Sequence, residues 1–171
     1  MNRFSSIVLT AALLAALPGV AAAQDSGAEE TTIDNAPAWV RNTADRAVAV
    51  FFTGATITSA QLDVEGPLPT FEFAGTAEGD QGFEIDIWPD GTLEEIEAIV
   101  AADAVPANVA AIFAAQFPEF QIETIEMSTR PGKNGLYDVW YEYAGLDAGA
   151  DLDVEINEAG TVMVVELPAA A

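Results

Sequence analysis

Carboxylates are the residues of this sequence that could do chemistry: the chain has 28 Asp and Glu against 5 Lys and Arg, with no His and no Cys. Without imidazole or thiol groups it can form no His- or Cys-based catalytic pair and no His/Cys zinc site. Glycoside hydrolysis needs only two carboxylates, so a carboxylate enzyme remains a third hypothesis. Such an enzyme must raise the pKa of one carboxyl, for which a small sheet without a deep cleft offers little means. We therefore predict a non-enzymatic protein without a cofactor.

Two segments combine an aromatic residue with acids at strand spacing. Residues 83–88 have the sequence Phe-Glu-Ile-Asp-Ile-Trp, and strand alternation places the two acids and the Trp on one face. Residues 137–143 likewise place a Trp with an Asp and a Glu, opposite the Tyr and Val side chains. Trp39 lies in a predicted helix, and we expect it in the core. An aromatic anchor among charges is typical of protein-binding surfaces. The predicted binding face comprises Trp88, Trp140, Glu84, Asp86, Asp138 and Glu142.

The same carboxylates allow other interpretations. Clustered oxygens suit Ca²⁺, so a sensor or binder of Ca²⁺ or of a cationic small molecule is the alternative to protein binding. No EF-hand loop is present, because Asp147, Asp151 and Asp153 lack the distal Glu, and we assign no metal ligand. A solvated face that keeps the protein soluble is the simplest explanation of the acids. The acids concerned are Glu72, Glu84, Asp86, Glu142, Asp153 and Glu155.

Charge and the amino-terminal segment limit the partners and the location. A formal net charge of −23 repels phosphate backbones and anionic headgroups, so we expect no nucleic acid partner. Residues 1–23 have the parts of a secretory signal peptide, with Arg3, an apolar stretch over 7–17 and small residues before Gln24. That stretch is too short to span a membrane, which takes roughly 20 residues. We expect cleavage after Ala23, a periplasmic or secreted product, and no membrane insertion thereafter.

A self-comparison at an offset of 69 residues predicts a tandem repeat. Residues 83–97 align with residues 152–166, and the identical pairs are Ile87/Ile156, Gly91/Gly160, Thr92/Thr161 and Glu97/Glu166. Before the repeats, residues 24–36 are polar and acidic, which predicts a flexible leader. We predict a first repeat over 37–100, a second over 101–168 and a tail over 169–171.

Each repeat is predicted to contain a helix followed by four strands. Apolar residues at helical spacing follow Pro37 and Pro106, and Asp103 is the expected cap of the second helix. Turn residues over 89–91, 130–135 and 158–160 separate alternating segments. The fold class is therefore α+β: two tandem helix-plus-four-strand units form an antiparallel sheet with helices packed on one face. The predicted strands are 56–65, 70–76, 82–88, 92–99, 121–129, 135–144, 151–157 and 161–167.

The second repeat contains a set of short motifs in a fixed order. They are Val105-Pro106-Ala107, Phe117-Pro118, Ile122 to Glu126, Tyr141-Glu142-Tyr143, and the alternating strand and turn from Asp153 to Val162. In this order they resemble the PepSY-like, beta-lactamase-inhibitor-like (BLIP-like) family of exported bacterial proteins. The likeness covers residues 104–167, and the first repeat matches as a degenerate copy.

The resemblance implies tandem units that share one continuous antiparallel sheet. It also implies a non-catalytic exported module, since related domains are thought to bind or inhibit peptidases. A beta-lactamase inhibitor of this shape binds its enzyme through the open sheet face. That inhibitor typically contains disulfides, and this chain departs from it in having no Cys. The sequence does not identify the partner or the oligomeric state.

Overall fold

The structure, a computed structural model, describes residues 29–31, 33–64, 68–133 and 135–166. The predicted signal peptide and the tail over 169–171 lie outside these residues. Within them, no helix has the length and apolar character needed to cross a membrane.

The described part of the chain forms two helices and nine strands. Helix α1 (Ala38–Phe51) follows a 3-10 turn at Ile33–Asn35, and helix α2 (Ala107–Gln116) follows one at Ala102–Ala104. The strands are β1 (Glu29–Thr31), β2 (Thr56–Asp63), β3 (Thr70–Thr76), β4 (Gly82–Ile87), β5 (Leu93–Ile99), β6 (Gln121–Pro131), β7 (Tyr137–Asp147), β8 (Ala150–Asn157) and β9 (Met163–Glu166).

All nine strands belong to one open antiparallel sheet, and their spatial order is their sequence order. The helices connect β1 to β2 and β5 to β6, and they pack on one face of the sheet, α1 against β4 and α2 against β8. The predicted α+β class, with helices on one face, is confirmed. The face without helices is called the open face below.

The helix-covered face contains the core, in two clusters. In the first, Val40 of α1 packs with Phe73 and Ile85, and in the second, Val109 and Phe113 of α2 pack with the β7 and β8 side chains. The ring of Phe113 stacks on that of Tyr143, with centroids 3.8 Å apart. Burying a side chain of this size stabilises the fold by about 1.5 to 3 kcal/mol. From strand alternation we also expect Phe71 on this face, and it is half-buried. The other sheet residues expected in the core by the same alternation are all buried: Phe73, Ile85, Ile87, Tyr141, Tyr143, Val154 and Ile156.

Three local expectations need correction. Residues 29–31, placed by the sequence in a flexible leader, pair with β2, and Ala36 is buried. Asp103 does not cap α2, because Pro106 holds the cap position and no side chain bonds there. Trp39 is 58% exposed rather than in the core. Its indole N–H donates to the Pro89 carbonyl at 2.9 Å, a polar contact that an apolar core would not supply.

The two halves of the chain repeat the same order of elements: a 3-10 turn, a helix and four strands. Asn108 of α2 donates to the Glu158 carbonyl at 3.0 Å, at the same sequence separation as the bond from Trp39 to Pro89. The hairpin glycines Gly91 and Gly160 both have positive φ, which other residues adopt with strain. That the halves superpose as copies of one unit stays a prediction.

Candidate functional site

Carboxylates occupy the open face in facing rows. Strand register places Glu72 opposite Asp86 and Asp86 opposite Glu95. It also places Glu84 opposite Glu97, while Glu142 of β7 lies between Glu126 and Glu155. Like charges directly opposite one another on adjacent strands destabilise a sheet. The open face must therefore contain groups that offset this repulsion, or carboxyls that are not ionised.

Glu72, Glu84 and Asp86 form what we call the first acidic cluster. One carboxylate oxygen from each lies within 4.8 Å of the other two. Glu72 is 5% exposed and accepts a hydrogen bond from the Gln61 amide, while the other two acids are half-buried. Oδ1 of Asp86 is closed to solvent and has no hydrogen-bond partner among the described residues.

Burial and mutual repulsion change the protonation of this cluster. Burial, followed by the charges of Glu72 and Glu126, raises the pKa of Glu84 to about 8. Burial, and next the charge of Glu84, raises the pKa of Asp86 well above its usual range. The strongest charged neighbours of both groups are carboxylates. At neutral pH Glu84 therefore holds a proton in most molecules.

A small cavity lies beside the first acidic cluster, between β4, β5 and β6. Its volume is about 20 Å³, and three of its lining residues are Glu84, Glu97 and Glu126. This space is large enough for one water molecule. Burial, followed by the charge of Glu95, raises the pKa of Glu97 well above its usual range. The acidic environment therefore continues from β3 to β6.

A second group of acids surrounds Arg130, and we call it the Arg130 cluster. The Arg130 Nε donates to Glu95 at 2.6 Å, and its Nη2 donates to Glu155 at 2.5 Å. The Ser128 hydroxyl also donates to Glu95. The guanidinium carbon lies 5.7 Å from the centre of the Trp140 ring, which is within range of a cation–π contact. Glu95 and Glu155 are both buried, so one guanidinium is the shared counter-ion of two buried carboxylates.

Acids that contact Arg130 differ in protonation from Glu142, whose principal charged neighbours are all acids. Burial alone would lower the pKa of Arg130, but its hydrogen bonds and the charges of Glu155 and Glu95 outweigh burial and keep it charged. Burial raises the pKa of Glu95, and Arg130 opposes this rise. Glu142 has no such partner among its principal neighbours, and burial followed by the charge of Glu155 raises its pKa to about 8.

The structure separates the two Trp of the predicted binding face. Both are half-buried, Trp140 in β7 and Trp88 just after β4. Strands β5 and β6 lie between them, which sets the two backbones at least about 14 Å apart. Trp140 belongs to the Arg130 cluster, whereas Trp88 follows the strand of the first acidic cluster. The remaining predicted residues are Glu84, Asp86 and Glu142, all half-buried, and Asp138, which is exposed and opposite Arg130 in register.

Arg130 is the central residue that the sequence analysis missed. Residues 130–135 were predicted to form a turn, but β6 continues to Pro131 and keeps Arg130 in the sheet. Ser128 faces Glu95, and strand alternation then places Arg130 on the same face. Extending the predicted strand from residue 129 to residue 131 would have identified Arg130 as a residue of the open face. Glu95, Glu97 and Glu126 were also absent from the predicted site.

Comparison with known proteins supports the fold alone. No family model matches the chain, and no curated protein matches it. A solved structure, a BLIP-like protein from Bacteroides fragilis, aligns with a TM-score of 0.56 at 11% sequence identity. The alignment covers 76% of this chain and 87% of that chain. The BLIP-like fold expected from the sequence motifs is thus supported by structural similarity.

Proposed function

We propose that this protein is an exported, non-catalytic module that binds another protein through the open face of its sheet. The observation that carries the proposal is the Arg130 cluster, where a half-buried Trp140 lies against a guanidinium within a field of carboxylates. Trp and Arg are the residue types that most often dominate binding energy at protein interfaces. The structural neighbour is described as BLIP-like, and the resemblance of the motifs to inhibitor-like domains supports the same use of the sheet.

The charge of the face specifies the kind of partner. The described basic residues other than Arg130 lie on α1 (Arg41 and Arg46) and in the β6–β7 turn (Lys133), so the open face has a large excess of acid. A partner with a basic surface, such as an envelope protein or a peptidase, therefore suits it best. Export follows from the predicted signal peptide over 1–23.

Changing Trp88 and Trp140 to Ala, singly and together, tests this proposal. The double variant should weaken association with a partner recovered from envelope extract by more than about 30-fold, about 2 kcal/mol, with little change in melting temperature. Dissociation constants are measured by calorimetry. Because Trp140 contacts Arg130, we expect W140A to account for more of the loss than W88A.

Trp39→Ala is the matched control, because Trp39 is an exposed Trp on α1, away from the open face. Equal weakening by W39A would contradict binding through the open face, and so would unfolding of the open-face variants. Association should also slow as salt rises from about 0.01 to 0.15 M, where the Debye length falls from about 30 to 8 Å.

A further inference from the structure

We infer that the first acidic cluster is a calcium site, in which Glu72 of β3 and Glu84 and Asp86 of β4 bind one Ca²⁺ ion. Each contributes a carboxylate oxygen within 4.8 Å of the other two. Two oxygens bound to one Ca²⁺ at its usual distances can be at most about 4.6 to 5.2 Å apart, so the three can share an ion. This inference goes beyond protein binding and does not depend on it.

The unsatisfied oxygen of Asp86 is the second, independent observation. Buried polar atoms nearly always have a hydrogen-bond partner, and leaving one without a partner costs free energy. Asp86 Oδ1 is closed to solvent without one among the described residues, and the carboxylate to which it belongs contributes an oxygen to the first acidic cluster. A cation bound by this carboxylate would compensate for the missing partner.

The surrounding charge favours a cation over another ligand. The strongest electrostatic neighbours of Glu84 are Glu72, Glu126 and Glu95, which all act to disfavour its ionised form. In the Arg130 cluster, buried acids are held by a guanidinium of the chain itself. A divalent ion would supply the same compensation in the first acidic cluster, and Glu97 and Glu126 line the adjacent cavity and add to its negative potential.

The chemistry of the three ligands determines which cation fits the site best. All three donors are carboxylate oxygens, and the chain has no His or Cys for zinc or copper. Mg²⁺ requires a near-ideal octahedron, with opposite oxygens only about 4.0 to 4.2 Å apart. Ca²⁺ accepts irregular geometry and completes its shell with water, so it suits ligands held by two sheet strands. Extracellular Ca²⁺ modules bind with Kd of about 10⁻⁴ to 10⁻³ M, and we expect this range.

Calcium titration of the purified protein, first stripped with EDTA, tests the site. At pH 7.5 in about 0.15 M NaCl, calorimetry should give one Ca²⁺ per chain. The melting temperature should rise by at least about 3 °C at about 10 mM CaCl₂, since an ion that binds only the folded state stabilises it. MgCl₂ at the same concentration should produce less than half of this rise.

Glu142→Gln is the matched control for Glu84→Gln. Both glutamates are half-buried on the open face, and the pKa of each is raised to about 8, but Glu142 lies outside the cluster. E84Q and the second variant D86N should each weaken Ca²⁺ binding at least tenfold, while E142Q changes it less than twofold. W140A should bind Ca²⁺ normally, which separates this site from protein binding at the Arg130 cluster.

Three results would overturn the inference. The first is the absence of heat and of a melting shift at about 10 mM CaCl₂, well above the expected Kd. The second is an equal loss of binding in E142Q and E84Q, which would indicate diffuse attraction to the acidic face. The third is undiminished binding in a folded D86N, which would place the ion elsewhere.

Discussion

The two acidic clusters of the open face hold their carboxylates in different ways. In the Arg130 cluster, Glu95 and Glu155 are held by one guanidinium at 2.6 and 2.5 Å. In the first acidic cluster, the strongest charges that act on Glu84 and Asp86 come from other carboxylates. The same sheet face therefore contains one group of acids whose charge the chain balances in part with Arg130, and one whose charge it leaves to protons or to a bound ion.

This difference teaches that the acidic character of the face has more than one role. Carboxylates needed only for solubility would be exposed, because burial of a charged group is unfavourable. Glu72, Glu95 and Glu155 are buried instead, at 5, 4 and 3% exposure. Carboxylates that are buried beside a fixed cation form a rigid structural element. Carboxylates that are buried without a cation form a region that responds to pH and to cations.

Removing the guanidinium should produce the largest effect. Arg130→Met leaves Glu95 and Glu155 buried without a cation, and breaking a buried ion pair from one side costs about 3 to 5 kcal/mol. We expect that loss in the free energy of unfolding, measured by urea denaturation at pH 7.5. Arg46→Met on the exposed side of α1 is the control and should change stability by less than about 0.5 kcal/mol. Equal effects of the two changes would show that the Arg130 cluster carries no special stability.

The pH dependence of stability should be the next largest effect. Glu84 and Glu142 have folded-state pKa values near 8, above the usual value of 4.5. Between these two pH values the two glutamates bind more protons in the folded chain than in the unfolded chain. Their contribution to stability is therefore complete below about pH 4.5 and is lost as pH rises through 8. We expect the melting temperature in EDTA to be at least about 5 °C lower at pH 8.5 than at pH 5. A melting temperature that rises over this interval would contradict the raised pKa values.

Neutralising one acid of the first acidic cluster should give the smallest effect, with the opposite sign to Arg130→Met. Glu84→Gln removes a buried charge that faces other carboxylates, so we expect about 1 kcal/mol of added stability at pH 8.5 in EDTA. At pH 5 Glu84 is protonated, and the change should be nearly neutral. Glu119→Gln, an exposed position, is the control at both pH values. Destabilisation by E84Q at pH 8.5 would mean that Glu84 is already balanced by a cation of the protein.

The fold was more accessible to sequence reasoning than the site. Strand alternation and turn residues located all strands from β2 to β9, and alternation also placed Glu84, Asp86 and Glu142 on the open face. The missed features depend on contacts between distant segments. Arg130 was assigned to a turn because Pro131 and Gly132 follow it, but pairing with β7 extends β6 to Pro131. Trp39 was assigned to the core because it lies in a predicted helix. Its bond to the β4–β5 hairpin joins residues 50 positions apart, so the sequence did not reveal it.

The sequence by itself determined the available chemistry and the face of each strand residue. A chain with 28 acids, no His and no Cys can offer little besides carboxylates, and the two-residue period of a strand is a local property. Only the tertiary structure decided which carboxylates meet and which receive Arg130, because register between strands depends on core packing and turn geometry. Glu95 and Arg130 are 35 positions apart in the sequence, and the α2 segment lies between β5 and β6 along the chain. Pairing of β5 with β6 brings them together, and no local pattern records that contact.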